Sequence, residues 1–291
     1  STDNTRALMC EFALDNKDEF RRVVVLDNPK KTLPSGWNVA LREYKGDAII
    51  KVDAHAVIPE DFVSKNVRVL ETGEYICGGQ RPNIIDKPTP FKETLLLAES
   101  SMFGSSIASY RNNPGKTYVK SLFHAAYRRE VFEKVGFFNE ELVRTEDNEI
   151  HYRMRKAGYK LCFDPDIISY QYTRSSLKAM LKQKYANGYW IGKTSKVCPK
   201  CLSIYHFVPF AFVSAIIASG SVIGATGLAE CIKKRHNHTL GKGISALRKV
   251  TVVLTTVMWV LYALMASGMA AVSAFKAEDK RNITNACLPV L

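Results

Sequence analysis

Acidic residues become scarce after residue 150. Of the 28 Asp and Glu in this 291-residue chain, 23 fall within residues 1–150, where 21 Lys and Arg leave a net of −2. Residues 151–203 hold 11 basic residues against 2 acidic ones, a net of +9, and residues 204–291 hold 9 against 3, a net of +6. The formal charge of +13 is thus concentrated in the half that adjoins long apolar segments. That distribution argues against nucleic acid as the partner and favours an anionic membrane surface. Charge of either sign is absent from two runs, 207–228 (FVPFAFVSAIIASGSVIGATGL) and 251–275 (TVVLTTVMWVLYALMASGMAAVSAF). Each meets the roughly 20 residues that a helix needs to cross a bilayer, and neither shows the polar stripe of a soluble core helix. Gly220 and Gly224 form a GxxxG in the first run, and with Gly268 in the second they mark an expected close-packing face.

Metal-ligand pairs are also sparse. Seven scattered cysteines, an odd number, suit a reducing compartment. Cys198 and Cys201 stand at ligand spacing, but no second CxxC or His pair lies nearby to complete four zinc ligands, although His206 is close. A turn beside the membrane is the simpler reading. No signal peptide is evident and the first residue is not Met. The chain opens on Ser1-Thr2-Asp3-Asn4-Thr5, which caps a helix through Leu8, Phe12 and Leu14, so the expectation is that an upstream segment is absent.

Helix and strand signals alternate through the first 170 residues. Strands are expected at 22–26 (RVVVL), 48–52 (AIIKV), 75–77 and 159–163, and helices at 37–44, 59–70, 91–107, 125–135 and from 144 to Gly158. Residues 111–120 form a polar loop, and Gly78-Gly79 reads as a turn that brings backbone close to a ligand. A near-continuous Ile/Val strand between helices indicates an α/β class with a mixed, mostly parallel sheet. Ligands then sit beyond the carboxyl ends of the strands, the position of Asp53 and His55.

Two acidic clusters carry possible chemistry. Asp53 and His55, two residues apart as the chain leaves the sheet, can share a divalent cation or simply form a polar loop. Glu146, Asp147 and Glu149 crowd the first turn of a helix behind Thr145, where acids are favoured by the helix dipole, and where an ionised carboxylate can also serve as a base for a sugar hydroxyl.

In order along the chain, Ser1-Thr2-Asp3-Asn4-Thr5, Asn38-Val-Ala-Leu41, Gly46-Asp47, Val52-Asp-Ala-His55, Gly78-Gly79, Tyr127-Arg-Arg-Glu-Val-Phe132, Gly136-Phe-Phe-Asn-Glu140, Glu146-Asp147 and 183–190 (QKYANGYW) resemble the motifs of family 2 glycosyltransferases. With Arg174-Ser-Ser176 and His206-Phe-Val-Pro209, the resemblance is closest to the succinoglycan-biosynthesis type. It covers residues 1–205 and extends loosely through the apolar runs. It implies a GT-A, Rossmann-like fold and inverting transfer of a sugar from a nucleotide donor. Carried onto this chain, Asp53 would contact donor and metal, His55 would be a second ligand for Mg²⁺ or Mn²⁺, and Asp147, beside Glu146, would deprotonate the acceptor. Gln183, Tyr189 and Trp190 would border the diphosphate and acceptor. His55 stands where the family has a second Asp, and the arginine of the family's Gln/Arg/Trp signature is missing.

The resulting expectation is a catalytic domain at 1–203, ending in the basic segment, followed by a membrane region at 204–291. The enzyme would lie in the cell membrane as a multi-pass protein with its catalytic domain cytoplasmic. It would use a nucleotide-sugar donor, a UDP-sugar above others, to extend a lipid-linked saccharide in exopolysaccharide or cell-surface glycan synthesis. The rivals are a polyprenyl-phosphate sugar synthase, which needs no deprotonating base, and a non-catalytic membrane-binding module.

Overall fold

A computed structural model of the chain describes residues 3–101, 115–236 and 241–276. The end of the expected 91–107 helix and residues 111–114 of the polar loop lie outside them, as do Ser1 and Thr2 of the expected cap. The strands are β1 (Ala48–Ile50), β2 (Ala56–Val57), β3 (Ile76–Gln80), β4 (Asn83–Ile84), β5 (Thr117–Val119), β6 (Ala125–Arg128), β7 (Leu161–Ile168) and β8 (Tyr170–Tyr172). The helices are α1 (Thr5–Asp15), α2 (Leu33–Glu43), α3 (Phe62–Glu71), α4 (Pro90–Ser100), α5 (Arg129–Val135), α6 (Glu146–Lys156), α7 (Leu177–Val197), α8 (Val208–Arg235) and α9 (Lys242–Lys276).

Five strands form a sheet in the order β1-β6-β3-β7-β5, and β2-β8-β4 form a smaller one. In the larger sheet β3 and β7 pair in parallel while the β1–β6, β3–β6 and β5–β7 pairs are antiparallel. The fold is thus a GT-A-like α/β arrangement with a mixed sheet, but the pairings are mostly antiparallel rather than mostly parallel. The cause is β6. Residues 125–128 were expected to be helical, yet Ala125, Ala126 and Tyr127 sit between β1 and β3, buried on both faces, and helix begins at Arg129.

Alternation along the strands divides the core. Ile49, Ile76, Tyr127, Leu161 and Phe163 face α2, α5 and α6, where Leu41, Val131, Phe132, Ile150 and Met154 complete one cluster. Ala48, Ile50, Cys77, Ala126 and Cys162 face α3, which contributes Phe62, Val69 and Leu70. The period of two is that of strands covered on both faces.

Three further expectations change. Residues 22–28, including RVVVL, form no strand: among the described residues β1, the edge strand beside which such a strand would add, pairs on one side with β6 alone. Gly78-Gly79 is not a turn but the middle of β3. A Cβ on Gly79 would land on the carbonyl oxygens of Ile167 and Asp164, so the glycine permits close approach of β7 rather than of a ligand. The ladder between β3 and β7 shifts register there, which lets β7 continue through Pro165.

The apolar runs fall in α8 and α9, both long and apolar enough to cross a membrane. They pair through aromatic rings, with Phe212 stacked on Tyr262 at 5.3 Å and edge-on to Trp259 at 5.9 Å. Among the described residues no partner atom would lie within 4 Å of a Cβ on Gly220, Gly224 or Gly268, so the GxxxG is not the face on which α8 and α9 pack. An ion pair between Arg248 and Glu230 joins the helices near the connecting segment.

Candidate active site

Because β1 and β3 are each antiparallel to β6, they run in the same direction, and β7 runs with them. The carboxyl ends of these three strands and the amino end of β6 therefore open on one edge of the sheet. Four polar side chains follow or precede those ends: Asp53 after β1, Arg81 after β3, His124 before β6 and Ser169 after β7. His124 Nδ1 lies 2.8 Å from Ser169 Oγ, and its Nε2 is 3.8 Å from Asp53 Oδ2. Arg81 is buried, with its guanidinium 3.7 Å from the Phe123 ring centroid.

The second acidic cluster arrives at this edge from above. Lys51, two residues before Asp53, continues the β1–β6 ladder through its backbone N–H, which donates to Ala125 O at 2.9 Å. Its side chain crosses to the first turn of α6 and places Nζ 3.5 Å from Glu146 Oε1, both groups being buried. Asp147 Oδ1 accepts from the backbone N–H of Asn148 at 2.8 Å. Glu149 turns away, held by Arg153 at 2.6 and 2.9 Å, while Arg153 also donates to the carbonyls of Val135 and Phe137. It is a structural acid. Thr145 occupies the N-cap position of α6 but spends its hydroxyl on Thr194 of α7 at 2.5 Å, which ties the start of α6 to α7.

Burial and charge set these groups apart. Desolvation pushes Glu146 up to about 7, with the charge of Asp147 adding and Lys51 opposing. Asp147 is also raised, first by burial, against the lowering effects of Lys51, the Asn148 N–H and Arg81. Part of the residue reaches solvent, but its carboxyl sits among buried groups. Asp53 behaves oppositely: burial raises it, yet His124 and Lys51 outweigh burial and hold it below the usual carboxylate range. Burial keeps His124 below its ordinary value despite Asp53. The edge thus carries one ionised acid, Asp53, and two acids with raised proton affinity.

Asp53 Oδ1, Glu146 Oε2 and His124 Nε2 are buried and have no hydrogen-bond partner among the described residues. Such orphaned atoms cost free energy unless a ligand satisfies them. A divalent ion fits Asp53 on that ground. His55 takes a different direction, because the chain turns at 53–56, closed by Ala56 N–H donating to Asp53 O at 3.0 Å. His55 is exposed, and its Nε2 lies 2.8 Å from the Gln171 amide, which leaves Nδ1 as the ring nitrogen for an ion. Among the described residues no three His, Cys, Asp or Glu side chains gather closely enough to hold a metal by themselves. The donor set suits an ion that takes most of its ligands from phosphates, as Mg²⁺ does.

Gln183, Tyr189 and Trp190 all lie on α7. Gln183 Oε1 accepts from Arg174 Nε at 3.4 Å, and Lys193 stands 4.8 Å over Trp190 and 5.5 Å over Tyr189. Through Thr194 this helix is coupled to the start of α6. Sequence reasoning missed Lys51, Arg81, His124 and Ser169. A signal existed for Lys51, a lone charge in an apolar strand run, whereas the others become meaningful once the strand directions are known.

Residues 1–136 match the family described as Glycosyl transferase family 2. The chain is 28% identical over 193 residues to the succinoglycan biosynthesis protein ExoA of Rhizobium meliloti, covering 65% of this chain and 56% of that protein. It is 24% identical over 225 residues to a dolichyl N-acetyl-α-D-glucosaminyl phosphate 3-β-D-2,3-diacetamido-2,3-dideoxy-β-D-glucuronosyltransferase of Methanococcus voltae, covering 75% of this chain and 68% of that one. A mannosyltransferase from Pyrobaculum calidifontis, solved in complex with GDP-Man and Mn²⁺, aligns with a TM-score of 0.49 and 16% identity over 88% of this chain and 73% of that chain. The family match over residues 1–136, together with the order of the motifs, marks a family 2 glycosyltransferase domain in that part of the chain.

Proposed function

We propose that the protein extends a lipid-linked glycan at the cytoplasmic face of a membrane, by inverting transfer of a sugar from a nucleotide-sugar donor, a UDP-sugar above others. The observation that carries this reading is the meeting of Asp53 and Glu146-Asp147, far apart in sequence, at one sheet edge beside buried cations. Asp53, with His55 as a second ligand through its remaining ring nitrogen Nδ1, would hold Mg²⁺ or Mn²⁺, which would offset the charge gained by the departing diphosphate. The acceptor hydroxyl attacks the anomeric carbon opposite the leaving group. The new C–O bond forms as the bond to phosphate breaks, the nucleoside diphosphate leaves with the bonding pair, and the hydroxyl proton passes to Asp147. The raised proton affinity of Asp147 suits that role. Gln183, Tyr189 and Trp190, on the helix tied to α6, border the acceptor side.

Residues 1–203 would form the catalytic unit, with α8 and α9 as spans of a multi-pass protein and the basic 151–203 segment against anionic headgroups. The relative named for transfer to a dolichyl N-acetylglucosaminyl phosphate supports a lipid-linked acceptor, and the one named for succinoglycan biosynthesis supports a role in exopolysaccharide synthesis. The test is Asp147→Asn in the full chain reconstituted in membranes. Removing a general base costs about 10²–10⁴-fold in turnover, so sugar extension should fall by that order while the protein remains folded. Turnover near that of the unsubstituted protein would refute the base assignment and favour a phosphate acceptor.

A further inference from the structure

The structure assigns a role to Lys51: we propose that it is a positioning residue for the transfer, bracing the strand end that bears Asp53 against the helix turn that bears Asp147. The inference rests on the reading of Asp147 as base and Asp53 as donor ligand. Its own support is geometric. Lys51 is the buried link between the two acidic clusters, with its backbone in the β1–β6 ladder and its Nζ 3.5 Å from Glu146 Oε1.

The ammonium is held on its other side by aromatic rings. Nζ lies 5.3 Å from the centroid of Trp37 and 5.8 Å from that of Phe138, both within cation–π range. That wall is itself fixed: Asn38 Nδ2 donates to Phe138 O, and Phe138 N–H donates to Asn38 Oδ1, both at 2.9 Å. A lysine so enclosed has few rotamers available, and Glu146 is drawn to it. The arrangement is a poor device for stability alone, since a buried ion pair can usually be replaced by well-packed apolar groups without loss. Here the 3.5 Å separation is long and Glu146 Oε2 has no partner. What the pair does fix is the placement of α6's first turn over the strand end. The field of Lys51 also reaches Asp53 and Asp147, lowering the proton affinity of each. In this reading Glu146 is the second half of the brace and does not exchange a proton with substrate.

The experiment compares Lys51→Met, Lys51→Arg, Glu146→Gln and the Lys51→Met/Glu146→Gln double variant in the reconstituted full chain. The donor is whichever of UDP-glucose, UDP-N-acetylglucosamine, GDP-mannose and dTDP-rhamnose supports nucleotide release, and Asp147→Asn runs in parallel. Misplacement of a base by about 1 Å costs on the order of 10²-fold, so Lys51→Met should lower kcat by about that factor while donor KM changes less than about threefold. Lys51→Arg should recover most of kcat, and the double variant should be no worse than Lys51→Met, as expected of residues acting as one unit. Unchanged kcat in Lys51→Met overturns the proposal. So does a loss that Arg does not rescue and that tracks a fall in Tm, because the role is then structural only. An active Asp147→Asn together with a Lys51→Met defect instead rejects the base assignment and leaves the dependence on Lys51 standing.

Discussion

The imidazole of His151 gives a quantitative test of how α6 is seated. It is fully buried, with Nδ1 3.1 Å from Ser121 Oγ and Nε2 2.8 Å from Tyr127 OH. Both partners are hydroxyls, so the neutral ring is satisfied and neither partner offers a negative charge to balance a second ring proton. Burial, with Lys51 and Arg155 adding, depresses its pKa to about 3. An unfolded histidine titrates near 6.5. A depressed folded value contributes stability that is present above about 6.5 and is lost as pH falls toward about 3. At pH 4.5 the unfolded state binds the proton and the folded state does not. Two pH units at 1.36 kcal/mol each give a loss of about 2.7 kcal/mol from this group, an order-of-magnitude figure. His151→Gln retains a donor and an acceptor for the two hydroxyls but cannot titrate. The assay is urea unfolding of the full chain in a non-ionic detergent, followed by tryptophan fluorescence at pH 7 and pH 4.5. The original protein should lose about 2–3 kcal/mol more than His151→Gln between those values, other acids being common to both. Equal losses would refute the neutral, sealed histidine.

Two other expectations are direct. Turnover should require Mg²⁺ or Mn²⁺, and His55→Asp should keep more activity than His55→Ala because an aspartate still offers a ligand; full turnover in excess EDTA would remove the metal from the mechanism. Gly79→Ala should destabilise the fold by about 1–3 kcal/mol or more through overpacking of β3 on β7, with the carbonyls of Ile167 and Asp164 in the way; an unchanged urea midpoint would contradict the strand assignment.

The parts of this protein legible in the sequence are those with strong local signals. α6 was readable because Ile150 and Met154 recur at helical spacing behind an acidic first turn, and both are buried as that spacing requires. The two apolar runs were readable from length and lack of charge. What failed were statements that depend on a partner strand. Residues 22–26 have high strand propensity and no ladder to join among the described residues, whereas Ala125 and Ala126 have little such propensity and are drafted into the centre of the sheet by β1 and β3. The site follows the same division. Asp53 at a strand end could be placed from sequence, but the turn that sends His55 toward Gln171, and the gathering of Arg81, His124 and Ser169, follow from strand order alone.

The sheet order also sets a timetable for biosynthesis. β1 pairs with β6 and β3 pairs with β7, so the first half of the sheet waits for chain made some 80 residues later. Asn38 clamps Phe138 across 100 residues, and Lys51 meets Glu146 across 95. Contacts of such separation form slowly, because loop closure must be paid before they give any return. The last strand ends at Tyr172 and α8 begins at Val208. Among the described residues every strand is therefore synthesised before the first apolar helix, and a chain emerging N-terminus first can complete its sheet before α8, proposed above as a span, is made. Slowing translation between those two points should favour a correctly folded enzyme. If α8 spans a bilayer as proposed, moving it ahead of the sheet would commit the chain to the membrane while β1 and β3 still lacked their partners, with unpaired edges exposed.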